Sequence, residues 1–223
     1  MNSTPQRGLT LIELLVGLAL ALLVVASGTM LLTTHLREHR SLLLEARLMQ
    51  DLRTATDLVA RDLRRAGHWG DAAAGVGSPA EAARANPYAA LAPAAAASDA
   101  ASYAYSRDAV ENHLLDNNEQ FGFRLRNKAI EIQLGSGNWQ SLTDATLLAV
   151  TTFTITPTLH EIDLGALCSL PCPAASATCP PRQQVRSLAL RISGHSLADA
   201  AVVRSAQAQV RVRHDALVGA CPT

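Results

Sequence analysis

Apolar residues are arranged along this chain in three different ways. From Leu9 to Leu36 they form one continuous run, LTLIELLVGLALALLVVASGTMLLTTHL, in which Glu13 is the only formal charge. As a helix this run covers roughly 42 Å, enough to cross a hydrocarbon layer of about 30 Å. After Leu36 the pattern becomes amphipathic without a break. Leu44, Leu48, Leu52, Ala55, Val59, Leu63 and Ala66 recur at three- and four-residue steps and make one helical stripe. Opposite charges four residues apart, Arg47–Asp51, Arg53–Asp57 and Asp57–Arg61, lie off that stripe. No proline interrupts Leu9 to Ala66, Ser27-Gly28 is the only soft point, and Gly67 stands where a C-cap belongs, after Arg64 and Arg65. The pattern predicts one helix over residues 9–66, about 58 residues or roughly 87 Å. Its second half should lie across a sheet.

The third arrangement is alternation. Phe121, Phe123 and Leu125 alternate with Gly122, Arg124 and Arg126, Asn127-Lys128 turns, and Ile130, Ile132 and Leu134 alternate again before the Gly135–Asn138 turn. Further strands are predicted at 149–156, 185–193 and 206–213. Residues 71–102 are rich in Ala, Gly and Pro and read as a loop or linker with a helical turn near Glu81. Residues 106–117 read as a short helix. Antiparallel strands against the amphipathic half of a long helix give an α+β head.

Composition narrows the function. The 223 residues carry 19 basic and 19 acidic side chains, so no cationic surplus exists for neutralising phosphates, and no nucleic-acid partner is expected. Lys128 is the sole lysine, and aromatics are only 4% of the chain, which predicts little buried area per core residue. No phosphate-binding glycine loop is present, and no cofactor is expected.

Three readings compete for the apolar run. A secretory signal explains the short basic start and Val24-Val25-Ala26, but its apolar core should span about 7–15 residues and hold no carboxylate. A plain anchor explains the length and leaves Glu13 without a reason, since a charge at membrane depth costs about 2.5–3.5 kcal/mol and marks a partner. Arg7 and the amino terminus favour a cytoplasmic start, against which Arg37 and Arg40 weigh on the far side.

The third reading is a resemblance. Arg7-Gly8-Leu9-Thr10-Leu11-Ile12-Glu13-Leu14-Leu15-Val16 resembles the cleavage signal of type IV pilins and type II secretion pseudopilins. Leu9 stands where that family most often has Phe. The resemblance implies cleavage between Gly8 and Leu9 by a prepilin peptidase, N-methylation of Leu9, and pairing of Glu13 with the terminal ammonium of a neighbouring subunit. Such a pair offsets the cost of burying each charge and sets axial register. The stretch from Ala55 to Gly70, ending Arg-Asp-Leu-Arg-Arg-Ala-Gly-His-Trp-Gly, is similar to the helix end of PilW-type minor pilins. The J-type minor pseudopilin shares its Arg-Asp-Leu-Arg core. Major pilins often carry a kinking proline in the apolar half; this chain has none.

The resemblance implies a leader over 1–8, a membrane and assembly half-helix over 9–36, an amphipathic half over 37–66, a loop-rich connection over 67–120 and a sheet head over 121–223. It implies no enzymatic activity. The expected partners are the peptidase, other minor pilins, the major pilin, the inner-membrane assembly platform and, as a further candidate, a tip adhesin. The expected location is the inner membrane with the head in the periplasm, and then the fibre or its tip.

The cysteines are Cys168, Cys172, Cys179 and Cys221, the first three in the loop CSLPCPAASATCPP. Only Cys168/Cys172 has the spacing of a zinc knuckle, and outside the cytoplasm disulfides are the better reading. Three connectivities are open. One bridge is expected to tie the tail through Cys221 to this loop.

Other motifs are weaker. Gly194-His-Ser196-Leu-Ala198 resembles a nucleophile elbow with Asp199 and His214 downstream, but that motif needs a strand–turn–helix context and this one reads as a turn between strands. Asp116-Asn-Asn-Glu119 lacks calcium-loop spacing. His35 and His39 are one helical turn apart and read as membrane-interface residues. No metal is expected.

Overall fold

The computed structural model describes residues 10–76, 81–174 and 176–222. One helix, α1 (Leu11–Leu63), contributes to two units, Met1–Leu44 and Glu45–Thr223. In the first unit the described residues are helical from Leu11, and their apolar side chains face outward: Leu11 is 79% exposed and Met30 73%. The helix holds an 18-residue stretch of mean hydropathy 2.5. Ser27, Thr29, Thr33 and Thr34 turn their hydroxyls back onto carbonyls of the preceding turn at 2.9–3.0 Å. Each polar side chain is thereby satisfied within the helix, as a lipid-facing surface requires, and Ser27-Gly28 continues without a break.

The second unit is an α+β head. Leu48, Leu52, Ala55, Val59 and Leu63 of α1, on the stripe the sequence pattern marks, are buried together with the neighbouring Ala60. They share one core with residues of two antiparallel sheets. The first sheet runs in chain order through β1 (Leu91–Ala92), β2 (Ala100–Ala104), β3 (Gln120–Arg126), β4 (Ala129–Leu134) and β5 (Trp139–Ser141). Its register sets Phe121 opposite Leu134, Phe123 opposite Ile132 and Leu125 opposite Ile130. The predicted turn is present, with φ +50° at Asn127 and +62° at Lys128. The second sheet comprises β6 (Leu148–Asp163), β7 (Arg182–Ser196) and β8 (Val203–Arg211), with β9 (Ala216–Val218) pairing the start of β7. A bulge between Val150 and Thr152 resets β6, so that Phe153 and Ile155 face the core.

Every Tyr and every Phe is buried. Tyr105 and Phe121 stack at 4.1 Å with Tyr103 and Phe123 beside them, so the few aromatics are concentrated where they bury most area.

Four expectations need correction. Helix α1 ends at Leu63 rather than Ala66. Turns follow to Gly67, which adopts φ +75° and donates its N–H to the Ala104 carbonyl at 2.8 Å. Residues 106–117 form no helix. The side chains of Glu111, Asn112, Asp116 and Glu119 bind nearby backbone N–H groups and outcompete helical hydrogen bonds, and only Asn117–Glu119 forms a 3₁₀ turn. The helical turn expected near Glu81 lies instead at Ala72–Gly75. The stretch 71–102 contributes β1 and part of β2 to the first sheet. Alanine, which signals neither period, hides them.

Candidate functional site

Gly8 and Leu9 lie outside the described residues, so the site begins at Thr10. Thr10 donates its N–H at 3.0 Å and its hydroxyl at 2.9 Å to Oε2 of Glu13, and Glu13 returns its N–H to Thr10 Oγ1 at 3.3 Å. This is a capping box that starts α1, and the sequence carries its signature in Thr10-x-x-Glu13. Oε2 takes both bonds. Among the described residues Oε1 of Glu13 accepts none, which leaves that oxygen open on an exposed carboxylate at a helix N-terminus. The surface that follows, Leu14 to Leu36, carries no formal charge and exposes its large apolar side chains.

At the other end of the chain the cysteines form a clasp. Cys168 is bonded to Cys221 and Cys172 to Cys179, with Cα separations of 5.3 and 5.5 Å. The loop 164–181 joins β6 to β7, and its base is closed by Leu164 N–H donating to the Pro181 carbonyl at 3.0 Å. The tail reaches the loop through β9 and through Ala220 N–H, which donates to the Thr178 carbonyl at 2.9 Å. Each of the three connectivities would tie Cys221 to this loop; the fold pairs it with Cys168 and leaves Cys172 to Cys179. Nearby, Gln184 and Arg182 bond the two oxygens of Glu161 at 2.7 and 3.2 Å and hold its carboxyl below the usual range.

A buried polar network joins the end of α1 to the first sheet. Glu119 is fully buried; its Oε1 accepts from Arg107 N–H at 2.8 Å and its Oε2 from Asp116 N–H at 3.0 Å. The Tyr88 hydroxyl lies 2.9 Å from Glu111 Oε1 and 3.3 Å from Glu119 Oε1. Burial and then Glu111 push the Tyr88 phenol up. Burial alone would raise the Glu111 carboxyl, but bonds from Ser106, Tyr88, His113 N–H and Gly70 N–H hold it down. The carboxylates of Asp116 and Glu119 are thus engaged by N–H donors in a structural capping box. Sequence reasoning placed Glu119 in a solvated loop and missed its burial, because a carboxylate at zero exposure is legible only from its donors.

The elbow-like motif does not assemble. Ser196 ends β7, a turn follows, and β8 begins at Val203, so the context is strand–turn–strand. Ser196 Oγ accepts Ala198 N–H at 3.2 Å, Asp199 accepts Ala201 N–H, and the His214 ring meets Asn86 at 3.3 Å. Among the described residues Ser196 has no histidine partner.

The family model for the prokaryotic N-terminal methylation motif matches residues 3–29, and the model for prepilin peptidase-dependent protein B matches residues 41–212. No curated protein and no solved structure matches the chain. The first match covers Gly8, Leu9 and Glu13, and the second covers most of the amphipathic half of α1 and nearly all of the two-sheet head. With an exposed apolar helix in front of an α+β head, the chain is type IV pilin-like and belongs to the prepilin peptidase-dependent protein B family.

Proposed function

We propose that this protein is a minor pilin of a type IV pilus, of the PilW type. In this reading it enters the inner membrane as a prepilin with its head in the periplasm and is cut between Gly8 and Leu9. It is N-methylated at Leu9 and joins other minor pilins to prime assembly on the inner-membrane platform. It ends at or near the fibre tip, carries no catalysis, and meets the major pilin and a tip adhesin. The supporting observation is a single carboxylate, Glu13, at the start of an otherwise apolar exposed helix, directly behind a junction that matches the methylation motif. Its Oε1, without a hydrogen-bond donor among the described residues, suits the ammonium of a neighbouring subunit.

Mass spectrometry of the mature chain tests processing: a mass starting at N-methyl-Leu9 is expected, and any other start overturns it. Glu13→Ala should abolish incorporation while leaving cleavage intact; normal incorporation would overturn the register role. A second reading, a J-type minor pseudopilin of type II secretion, rests on the shared Arg61-Asp62-Leu63-Arg64. Deletion separates the two, by loss of surface pili and twitching in one case and loss of exoenzyme secretion in the other. Fluorophosphonate labelling at Ser196 should give no signal.

A further inference from the structure

We propose that in the reduced chain the four cysteine sulfurs form a binding site for a thiophilic divalent cation of the zinc class, so that metal and disulfides are alternative occupants of one clasp. The sulfurs of Cys168, Cys172 and Cys179 lie within 4.8 Å of one another although they belong to two different disulfides, and that of Cys221 is bonded to Cys168. A tetrahedral zinc–thiolate centre with bonds of about 2.3 Å has sulfurs roughly 3.8 Å apart, so after reduction each formerly bonded pair opens by roughly 1.8 Å while the Cys168, Cys172 and Cys179 sulfurs draw together by up to about 1 Å.

Backbone hydrogen bonds act alongside the S–S bonds in placing this cluster. Leu164 is bonded to Pro181 at the base of the loop, Cys179 N–H donates to Ser176 Oγ at 3.1 Å, and β9 with Ala220 straps the tail to β7 and Thr178. Gly219 makes that strap possible. Its φ is +85°, and a Cβ there would collide with the Thr178 carbonyl. Sequence spacing offers only one knuckle, whereas the fold brings the fourth sulfur from the far end of the chain.

The chemistry balances with a dithiol as reductant. Two dithiols each close to a cyclic disulfide, the four electrons open both bonds, and four thiols result. Binding the ion then releases the thiol protons.

The test uses the full chain in detergent, reduced anaerobically with a dithiol, desalted, and titrated with Co²⁺ alone and then with Zn²⁺ in competition. One Co²⁺ per chain is expected, with sulfur-to-cobalt charge-transfer and tetrahedral visible bands that Zn²⁺ bleaches. Cys172→Ser and Cys221→Ser should each weaken binding by about tenfold or more. Gly219→Val, which keeps all four sulfurs but displaces the tail, should weaken it as well. Absence of stoichiometric binding, more than one chain per ion, or wild-type affinity in Gly219→Val would overturn the proposal. The last outcome would mean that the sulfurs gather as they do in any flexible four-cysteine chain.

Discussion

Two residues carry backbone and charge constraints that a substitution would expose. Gly67 sits at φ +75° where α1 gives way to the first sheet, and an added Cβ would lie 2.6 Å from the His214 Cβ. The His214 Cβ is not the tip of a flexible side chain, so Gly67→Ala combines positive-φ strain with overpacking. A loss of about 2–3 kcal/mol is expected, read from urea denaturation. His214 is held below the usual imidazole range by burial first and then by Arg186, against the opposing pull of Asp215. A depressed histidine stays neutral in the folded head while the unfolded chain takes up the proton. The stability it contributes is therefore present above the unfolded value of about 6.5 and declines as pH falls from there toward the lower folded value. The urea midpoint should fall between neutral pH and pH 5.5, and His214→Gln should flatten that slope. Glu111 and Glu161, whose folded carboxyls are lowered, lose their contribution only at more acidic pH, through the carboxylate range, so the two effects separate along the titration.

Among the elements, the long β6–β7 hairpin and the C-terminal strap depend on the disulfides to different degrees. Cys168–Cys221 spans 53 residues and Cys172–Cys179 only 7. Loop-closure entropy assigns the first about 4 kcal/mol and the second about 2 kcal/mol. The Cys168→Ser/Cys221→Ser pair should therefore lower the melting temperature more than the Cys172→Ser/Cys179→Ser pair. Equal effects in calorimetry would show that local packing of the loop outweighs chain entropy. The same ranking fits the architecture: β9 is three residues long and pairs only the half-buried start of β7, so the Cys168–Cys221 bridge reinforces a short strap.

At the scale of the whole molecule, two units have opposite surfaces. Residues of the first present leucine and valine outward, whereas the second buries its apolar side chains around α1 and two sheets. The exposed stretch is long enough to span a bilayer, so alkaline carbonate should leave the full chain in the membrane pellet. Release into the supernatant would contradict anchoring by this helix. The helix boundaries within a few residues, the strands β3 and β4 and the turn between them were legible in the sequence, because each has an unambiguous period and its own punctuation. Strands β1 and β2 were not, since an alanine-rich strand has no polar–apolar contrast to read. Strands β6, β7 and β8 were found but misjudged in extent. In the distal half of the hairpin β6 is exposed on both faces and β7 is only half-buried, and there hydrogen bonding continues after the hydrophobic pattern has stopped.

The sequence by itself determined the features that depend on near neighbours in the chain: the apolar run, the Gly8–Leu9 junction, the Thr10–Glu13 box, the buried stripe of α1 and the Gly67 stop. These rest on interactions three or four residues apart or on the solvent each segment prefers, both of which a linear pattern records. Tertiary structure alone decided which cysteines pair, why Glu119 can be buried, and that Ser196, Asp199 and His214 form separate contacts. Each of those outcomes depends on groups brought together from distant parts of the chain. Their proximity is set by the register of the sheets and by the packing of α1 upon them, which no local spacing encodes.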